Sequence, residues 1–153
     1  MADIMDRATR SRVMSRIRSG NTKPEMAVRR LLHGAGFRYR LQVKSLPGRP
    51  DIVLPKHHAL VFVHGCFWHG HDCPAFRLPS SRRKFWKEKI RRNRERDTLA
   101  ECLLREGGWR VALVWECALR GRGQIASALL ERRLTAWLHG SRKRLEIRGR
   151  AKT

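Results

Sequence analysis

The sequence is poor in negative charge: 13 acidic residues stand against 35 lysines and arginines, which leaves a formal net charge of +22 over 153 residues. A chain with such an excess repels itself unless a polyanion neutralises it, so nucleic acid is the first class of partner to consider. An acidic membrane surface is another polyanion, but the basic stretches lack the apolar stripe that would face lipid. We therefore predict a nucleic-acid-binding protein that does not bind membranes.

Long apolar runs are also missing, and cysteine is scarce. The chain has no run of about 18 apolar residues, which a membrane-spanning helix requires, and its N-terminus lacks the apolar segment of a secretion signal. These absences predict a cytoplasmic protein. In a reducing compartment the four cysteines are expected to be free thiols or metal ligands and not a disulfide framework.

The periodicity of the apolar residues predicts a single α/β domain. Thr22 and Glu25 form the capping-box pattern of a helix that ends at Gly34. Three strands are predicted next, at 37–43, from 51, and at 59–64. A long basic helix at 81–106, a strand at 109–115 and a final helix at 123–138 follow. Three consecutive strands followed by a helical crossover imply a mixed sheet with helices on both faces.

The charge pattern divides the chain into three parts. Residues 22–140 are expected to form the folded domain. Residues 1–21 are predicted to be a flexible basic arm and residues 141–153 a basic, disordered tail.

One short stretch, HGCFWHGHDC at 64–73, concentrates side chains of the metal-ligand type. Its three possible zinc donors are spaced C-x4-H-x-C: Cys66, His71 and Cys73. Zinc prefers thiolate and imidazole, and a structural site needs a fourth donor. Cys117 is the natural candidate because it follows a strand expected beside the end of strand 59–64, whereas Cys102 lies among leucines of the long helix as an apolar filler. Coincidental cysteines and surface histidines are the alternative.

Two histidines and two carboxylates remain outside that ligand set. His64 closes a strand and His69 lies in the loop, so both could face a cleft, although a lone histidine is more often structural. Asp51 begins a strand after a Pro-Gly-Arg-Pro turn, where its side chain can point into a site. Asp97 falls on the predicted inward face of the long helix. A buried carboxylate there needs a partner, either a histidine or an arginine.

Four segments together resemble the very-short-patch-repair (Vsr) DNA mismatch endonucleases: LPGRPDIV, VFVHGCFWHGHDC, FWKEKIRRNRERD and GWRVALVWECALRG. The resemblance extends from the N-terminal arm to about Trp137. It implies a single-domain restriction-endonuclease-like fold with a mixed sheet, flanking helices and a structural zinc site. The implied activity is Mg²⁺-dependent nicking of double-stranded DNA 5′ of the thymine in a T·G mismatch, which arises when 5-methylcytosine deaminates.

The resemblance also implies partners and a metal-binding carboxylate. T·G-mismatched DNA is the expected partner of a monomeric, nucleoid-associated enzyme, with mismatch-repair proteins of the MutL type as further partners. By resemblance, Asp51 holds two Mg²⁺ ions at the scissile phosphate, the backbone carbonyl of Val63 adds a ligand, and Glu25 reaches a metal through water. A capping box explains Glu25 equally well. The family pattern has threonine where this chain has Val63. The backbone carbonyl can still bind a metal ion, but the side chain no longer provides a hydroxyl.

Catalytic roles follow from the same resemblance. His69 is expected to act as the general base that activates water, Asp97 to orient it, and His64 to support the phosphate or a metal-bound water. Relatives of this fold carry an acid-x-Lys pair on the strand after the first aspartate, whereas this strand ends Phe62-Val63-His64. The histidines therefore replace the lysine.

The remaining implied roles concern zinc and the DNA bases. One structural zinc ion would be held by four residues: Cys66, His71, Cys73 and Cys117. Phe67, Trp68 and Trp86 would wedge into the base stack beside the mismatch, and Met14 in the arm would close from the other groove. Phe67 and Trp68 could instead be core residues. The rival interpretation of the whole chain is a zinc-stabilised, non-catalytic DNA- or RNA-binding module.

Overall fold

The computed structural model of the protein describes residues 22–74 and 76–150. Its centre is one five-stranded sheet in the spatial order β1-β2-β3-β4-β5. The strands are β1 (Arg40–Leu41), β2 (Ile52–Leu54), β3 (Ala59–His64), β4 (Arg110–Trp115) and β5 (Arg144–Ile147). The helices are α1 (Lys23–Gly34), α2 (Arg83–Glu106), α3 (Glu116–Leu119) and α4 (Ser127–His139), with a 3₁₀ turn at Pro55–His57.

The sheet is mixed, as predicted. β1, β2 and β3 pair antiparallel, and α2 then carries the chain across to β4, which pairs parallel with β3. The register places His64 opposite Trp115 at the carboxyl ends of β3 and β4. Parallel strands end at the same edge of a sheet, so this edge collects the loops that follow both strands.

Alternation along β3 divides the core between the two faces of the sheet. Ala59 and Val61 belong to the cluster that includes residues of α1 and α4. Leu60 and Phe62 belong to the cluster on the other face, which includes Leu104 of α2. Because successive side chains of a strand point to opposite faces, this continuous apolar run is buried on both sides. Within the described part of the chain, no helix has the length and apolar character needed to cross a bilayer.

The first helix begins as its sequence predicts. The Thr22 hydroxyl accepts a hydrogen bond from the Glu25 N–H at 3.3 Å, and a Glu25 carboxylate oxygen accepts one from the Thr22 N–H at 3.2 Å. This capping box satisfies two backbone donors that the first turn would otherwise leave unpaired. Val28 and Leu32 then bury the inner face of the helix.

Three predictions of local structure were wrong or too broad. The predicted strand 37–43 is reduced to Arg40–Leu41, because Gln42 adopts a positive φ of 51° that ends the extended backbone. Cys102 is exposed on α2 and does not fill the core. Leu99 and Leu103, its expected apolar surroundings, are 60% and 45% exposed.

The predicted disordered tail is the largest correction. Residues Arg144–Ile147 form β5, which pairs parallel with β4, and Ile147 is fully buried. The alternation in RLEI, which places Leu145 and Ile147 on one face, was masked by the basic residues around it. A strand of four residues with two charges is stable here because β4 offers a complete row of backbone partners.

Candidate functional site

An open cleft of about 730 Å³ lies at the carboxyl edge of β3. It brings together the predicted catalytic residues, which come from α1, the turn before β2, β3 itself, the following loop and α2: Glu25, Asp51, Val63, His64, His69 and Asp97. Phe67 and Trp68 also line this cleft. The predicted Met14 and the whole arm 1–21 lie outside the described residues.

Asp51 is held by the backbone of the neighbouring strand. One of its carboxylate oxygens accepts a hydrogen bond from the Val63 N–H at 2.7 Å. Burial raises the pKa of Asp51 from 3.8 to about 8, the Val63 N–H lowers it, and the nearby Glu25 carboxylate adds to the increase. Two carboxyl groups that disfavour each other's negative charge are stabilised in the ionised form by a shared cation.

Glu25 has two hydrogen-bonding roles that do not involve a metal. Besides capping α1, the Glu25 carboxylate accepts a hydrogen bond from the Arg29 guanidinium at 3.2 Å. Glu25 is only 2% exposed. The capping interpretation of Glu25 is therefore confirmed. Its position in the same cleft as Asp51 also leaves it beside any cation bound there.

His69 and Asp97 form a close pair across the cleft. The His69 Nδ1 lies 2.5 Å from the Asp97 Oδ2, and the His64 Nδ1 lies 4.0 Å from the same oxygen. Asp97 is part-buried, so its inward placement on α2 holds and its partner is a histidine. In the tautomer in which the His69 Nδ1–H donates to Asp97, Nε2 is the nitrogen that carries the lone pair.

His64 is a buried neutral imidazole stacked on His69. The ring centroids are 3.7 Å apart and the planes are parallel. The pKa of His64 is lowered to about 3, mainly by burial and also by the neighbouring His69, against the opposing effect of Asp97. A metal ion lies close to the plane of each imidazole that binds it, and parallel planes share no such position. The stacked geometry therefore disfavours one ion held by both histidines.

The second cluster of donors matches the predicted zinc ligands. Ligand atoms of Cys66, His71, Cys73 and Cys117 all lie within 4.8 Å of one another. The His71 Nδ1 is 3.6 Å from the Sγ of Cys66 and 3.6 Å from the Sγ of Cys117. Tetrahedral bonds of about 2.3 Å to sulfur and about 2.1 Å to nitrogen separate the two donors by about 3.6 Å. The donor set and its spacing therefore fit zinc.

The surroundings of this cluster suit thiolates that are bound to a cation. Burial raises the pKa of the Cys66 thiol, so a bound cation would be needed to favour its charged form. The Gly149 N–H donates to the Cys117 Sγ at 3.2 Å, and the Glu116 carboxylate accepts from the Cys66 N–H at 3.3 Å. The exposed Cys102 lies outside the cluster.

The three predicted wedge residues lie in one aromatic group. Phe67 and Trp68 directly follow Cys66, and Trp86 lies in the first turn of α2. Their ring centroids are 5.1 to 5.8 Å apart in edge-to-face arrangements. All three are half-buried, so they are not core residues, and Phe85 beside them is exposed.

Sequence reasoning missed the residues that hold these groups in place. The Asn93 side chain on α2 donates a hydrogen bond to the Trp68 carbonyl at 2.9 Å. This hydrogen bond connects the loop 64–73 to the helix that carries Asp97. No local sequence pattern indicates the Asn93 contact, because it joins residues 25 positions apart. Glu116 gave no signal, because its contact with Cys66 joins residues 50 positions apart.

Comparison with known proteins adds an independent observation. The family model described as DNA mismatch endonuclease Vsr matches residues 2–75. The chain is 48% identical over 140 residues to the DNA mismatch endonuclease Vsr of Escherichia coli (strain K12), which covers 92% of this chain and 90% of that protein. It is 50% identical over 129 residues to the type II nicking enzyme V.XorIIP of Xanthomonas oryzae pv. oryzae, which covers 84% of this chain and 95% of that protein.

A third relative is also a nicking enzyme. The type II nicking enzyme V.NmeAIP of Neisseria meningitidis is 48% identical over 122 residues, which cover 80% of this chain and 87% of that protein.

Proposed function

The chain belongs to the Vsr family of DNA mismatch endonucleases, and from this we propose that it nicks double-stranded DNA 5′ of the thymine in a T·G mismatch. The proposed reaction is Mg²⁺-dependent hydrolysis of one phosphodiester bond. The observation that carries the proposal is the placement of the His69–Asp97 pair in the same cleft as Asp51. A base held by a carboxylate, next to a carboxyl group that needs a cation, supplies the parts that phosphodiester hydrolysis requires.

Asp51 and the backbone carbonyl of Val63 are the residues proposed to hold Mg²⁺. The Val63 N–H orients the Asp51 carboxylate, and Glu25 would act through a water molecule. Bound Mg²⁺ would polarise the scissile phosphate and stabilise the leaving oxygen. Valine at position 63 is compatible with this role, because only the backbone is used.

His69 is proposed as the general base. Its Nδ1 faces Asp97, which fixes the tautomer and leaves Nε2 to take a proton from the attacking water. His64, kept neutral by burial, is proposed to support the ring of His69 and either to donate a hydrogen bond to the phosphate or to accept one from a metal-bound water. Asp97 positions His69 and does not itself take part in bond breaking.

The aromatic group and the zinc cluster are proposed to recognise the mismatch together. Phe67, Trp68 and Trp86 would insert beside the mispair, where unstacking costs less than in a matched duplex. Zinc bound by the Cys66–His71–Cys73–Cys117 cluster would stabilise the loop that presents Phe67 and Trp68. Action as a monomer and contacts with MutL-type proteins remain predictions.

The testing experiment compares two duplexes that differ only in one T·G mismatch. Wild-type protein and His69→Ala are incubated with each duplex, with Mg²⁺ or with a chelator, and strand breaks are mapped by denaturing electrophoresis. We expect a single break 5′ of the mispaired thymine, only with wild-type protein and Mg²⁺. Tight binding of the mismatched duplex without any break would support the non-catalytic DNA-binding module instead.

A further inference from the structure

The indole of Trp115 lies between the zinc cluster and the catalytic histidines. Trp115 is the last residue of β4 and is 7% exposed. Its ring stacks on the ring of His71, with centroids 3.8 Å apart and planes at 8°. It meets His64 edge to face at 5.6 Å and His69 at 6.4 Å. One side chain therefore contacts a proposed zinc ligand and both imidazoles of the cleft.

The orientation of this indole is fixed by the last strand. The Trp115 Nε1–H donates to the Glu146 Oε2 at 2.8 Å, and Glu146 lies on β5. The other oxygen of Glu146 accepts a hydrogen bond from Arg144 at 3.1 Å. Arg144 in turn donates to Glu101 of α2 at 2.8 Å. The indole N–H is a donor with no acceptor capacity, so a buried tryptophan is held in the rotamer in which that donor is satisfied.

We propose that Trp115 and Glu146 are positioning residues for the nuclease reaction. Glu146 fixes the rotation of the indole, and the indole sets the position of His71 relative to the stacked pair of His64 and His69. The inference rests on the proposed function of the cleft, and it gives neither residue a contact with DNA or with the reacting atoms. The proposal gives a role to β5, which lies within the segment 141–153 that was predicted to be a disordered tail.

The size of the expected effect follows from the geometry of proton transfer. A base displaced by about 1 Å can cost about a hundredfold in rate. Removing the acceptor in Glu146→Leu leaves the buried indole N–H unpaired, so the ring turns toward another partner and its contacts with the imidazoles change. Glu146→Gln keeps a carbonyl oxygen that can accept the same hydrogen bond. Leucine and glutamine have similar size, so the two variants separate the acceptor from the bulk.

The experiment uses the full-length, zinc-loaded protein with a T·G-mismatched duplex. Four quantities are measured: the single-turnover nicking rate at saturating protein, the Kd for the duplex, the rate of zinc release to a chelator, and the indole N–H resonance in ¹⁵N-tryptophan-labelled protein. Trp115→Phe assigns that resonance among the five tryptophans. Glu131→Leu, which changes an exposed carboxylate on α4, is the control for charge.

Glu146→Leu is expected to lower the nicking rate by about ten- to a hundredfold, with the Kd within about threefold of wild type. Zinc release should be faster, and the Trp115 indole resonance should move upfield. Glu146→Gln should recover most of the rate and the zinc retention, and Glu131→Leu should match wild type. Wild-type rate and wild-type zinc release in Glu146→Leu would overturn the proposal, as would equal losses in the leucine and glutamine variants.

Trp115→Phe gives a second test if Glu146→Leu does not fold. It retains an aromatic ring but removes the donor, so a rate loss in the same direction is expected, with no further loss when Glu146→Ala, which removes the acceptor, is added. Multiplying losses would show that the two residues act separately and would contradict the proposal. If wild-type protein does not nick the mismatched duplex, the proposed function fails, and the indole resonance and zinc release still decide whether Glu146 positions Trp115.

Discussion

At the scale of single residues, two carboxylates of the cleft are used in opposite ways. Asp97 lies 2.5 Å from an imidazole nitrogen and orients a neighbouring side chain. Asp51 faces a backbone N–H and another carboxyl group, and burial raises its pKa even though the Arg29 charge lowers it. The first arrangement suits a group that positions a base, and the second suits a group that binds a cation.

The His69–Asp97 pair predicts non-additive kinetics. Asp97→Asn should lower turnover by about a hundredfold or more, because the amide can hold His69 in the wrong tautomer. His69→Ala should cost at least as much, and the double variant should be no worse than His69→Ala, as for residues that act as one unit. Single-turnover nicking measures this, with zinc content and duplex affinity as checks on folding. Losses that multiply would mean that Asp97 does not act through His69.

The pKa of Asp51 predicts a pH-dependent stability in protein free of Mg²⁺. Because folding raises this pKa from 3.8 to about 8, the stability contributed by its protonated form is complete below about pH 4 and is lost as the pH rises through 8. Asp51→Asn avoids this loss. The variant should gain on wild type by up to about 1.4 kcal/mol for each pH unit across that range.

Urea denaturation of zinc-loaded protein in Mg²⁺-free buffer, at pH 6, 7 and 8, measures the difference. Adding Mg²⁺ at pH 8 should stabilise wild type and leave Asp51→Asn unchanged, and Asp51→Asn should not nick DNA. Glu131→Gln, at an exposed carboxylate, is the control. A constant difference between wild type and Asp51→Asn across the pH range would contradict the assignment.

At the scale of elements, the loop 64–73 combines two functions within ten residues. Its cysteines and His71 turn toward Cys117, while Phe67 and Trp68 turn toward the cleft. The loop is also tied to α2 by Asn93 and to α3 by Glu116. The two hydrogen bonds, together with the proposed zinc ion, would stabilise this short, irregular segment in place of a regular backbone ladder.

The cysteines predict the metal content. Purified protein should hold one zinc ion per chain, and Cys66→Ala or Cys117→Ala should lose it together with folded stability. Cys102→Ala, at an exposed thiol outside the cluster, is the matched control and should retain zinc. Elemental analysis after exhaustive dialysis measures the content. Loss of zinc in the Cys102 variant but not in the Cys117 variant would refute the ligand set.

β5 predicts that the C-terminal segment contributes to global stability. Ile147→Ala removes a fully buried side chain and should cost about 2–4 kcal/mol. Leu129→Ala, at a position that is 36% exposed on α4, should cost much less. Urea denaturation of both variants provides the comparison. Equal stability of Ile147→Ala and wild type would restore the interpretation of this segment as a tail.

Elements with long, consistent patterns could be predicted from the sequence, and those that depend on a partner could not. β3 matches its predicted bounds, and α2 begins within two residues of its prediction. The ends of β1 and β5 are set by the strands that they pair with. They therefore cannot be predicted from the residues of β1 and β5 alone. The cleft residues were identified mainly through the family resemblance, and the Trp115–Glu146 contact spans 31 positions that no local pattern connects.

At the scale of the whole molecule, the positive charge remains uncompensated after folding. Several of the few acidic side chains already pair with arginines, as in Arg91–Glu88, Arg120–Glu116 and Arg144–Glu101. The net charge of +22 is therefore available to the phosphates of DNA. These contacts give affinity and a fast approach but do not distinguish one sequence from another.

Charge and aromatic insertion predict different responses to salt. Raising salt from about 50 to about 200 mM should weaken binding of matched and mismatched duplexes by similar factors. Trp68→Ala should instead reduce the preference for the mismatched duplex with little effect on the matched one, because stacking discriminates and phosphate contacts do not. Fluorescence anisotropy with both duplexes measures the two effects. Equal losses on both duplexes would make Trp68 a packing residue.

The parallel pairing of β5 with β4 has a consequence for biosynthesis. The strand that pairs with this edge of β4 is synthesised after β4, α3 and α4, so a nascent chain, or one terminated before Arg144, would expose the unpaired, apolar edge of β4. Such an edge favours aggregation, and the same chain would lack Glu146. We expect frameshifts and nonsense codons before Arg144 to yield insoluble polypeptide that lacks the proposed activity.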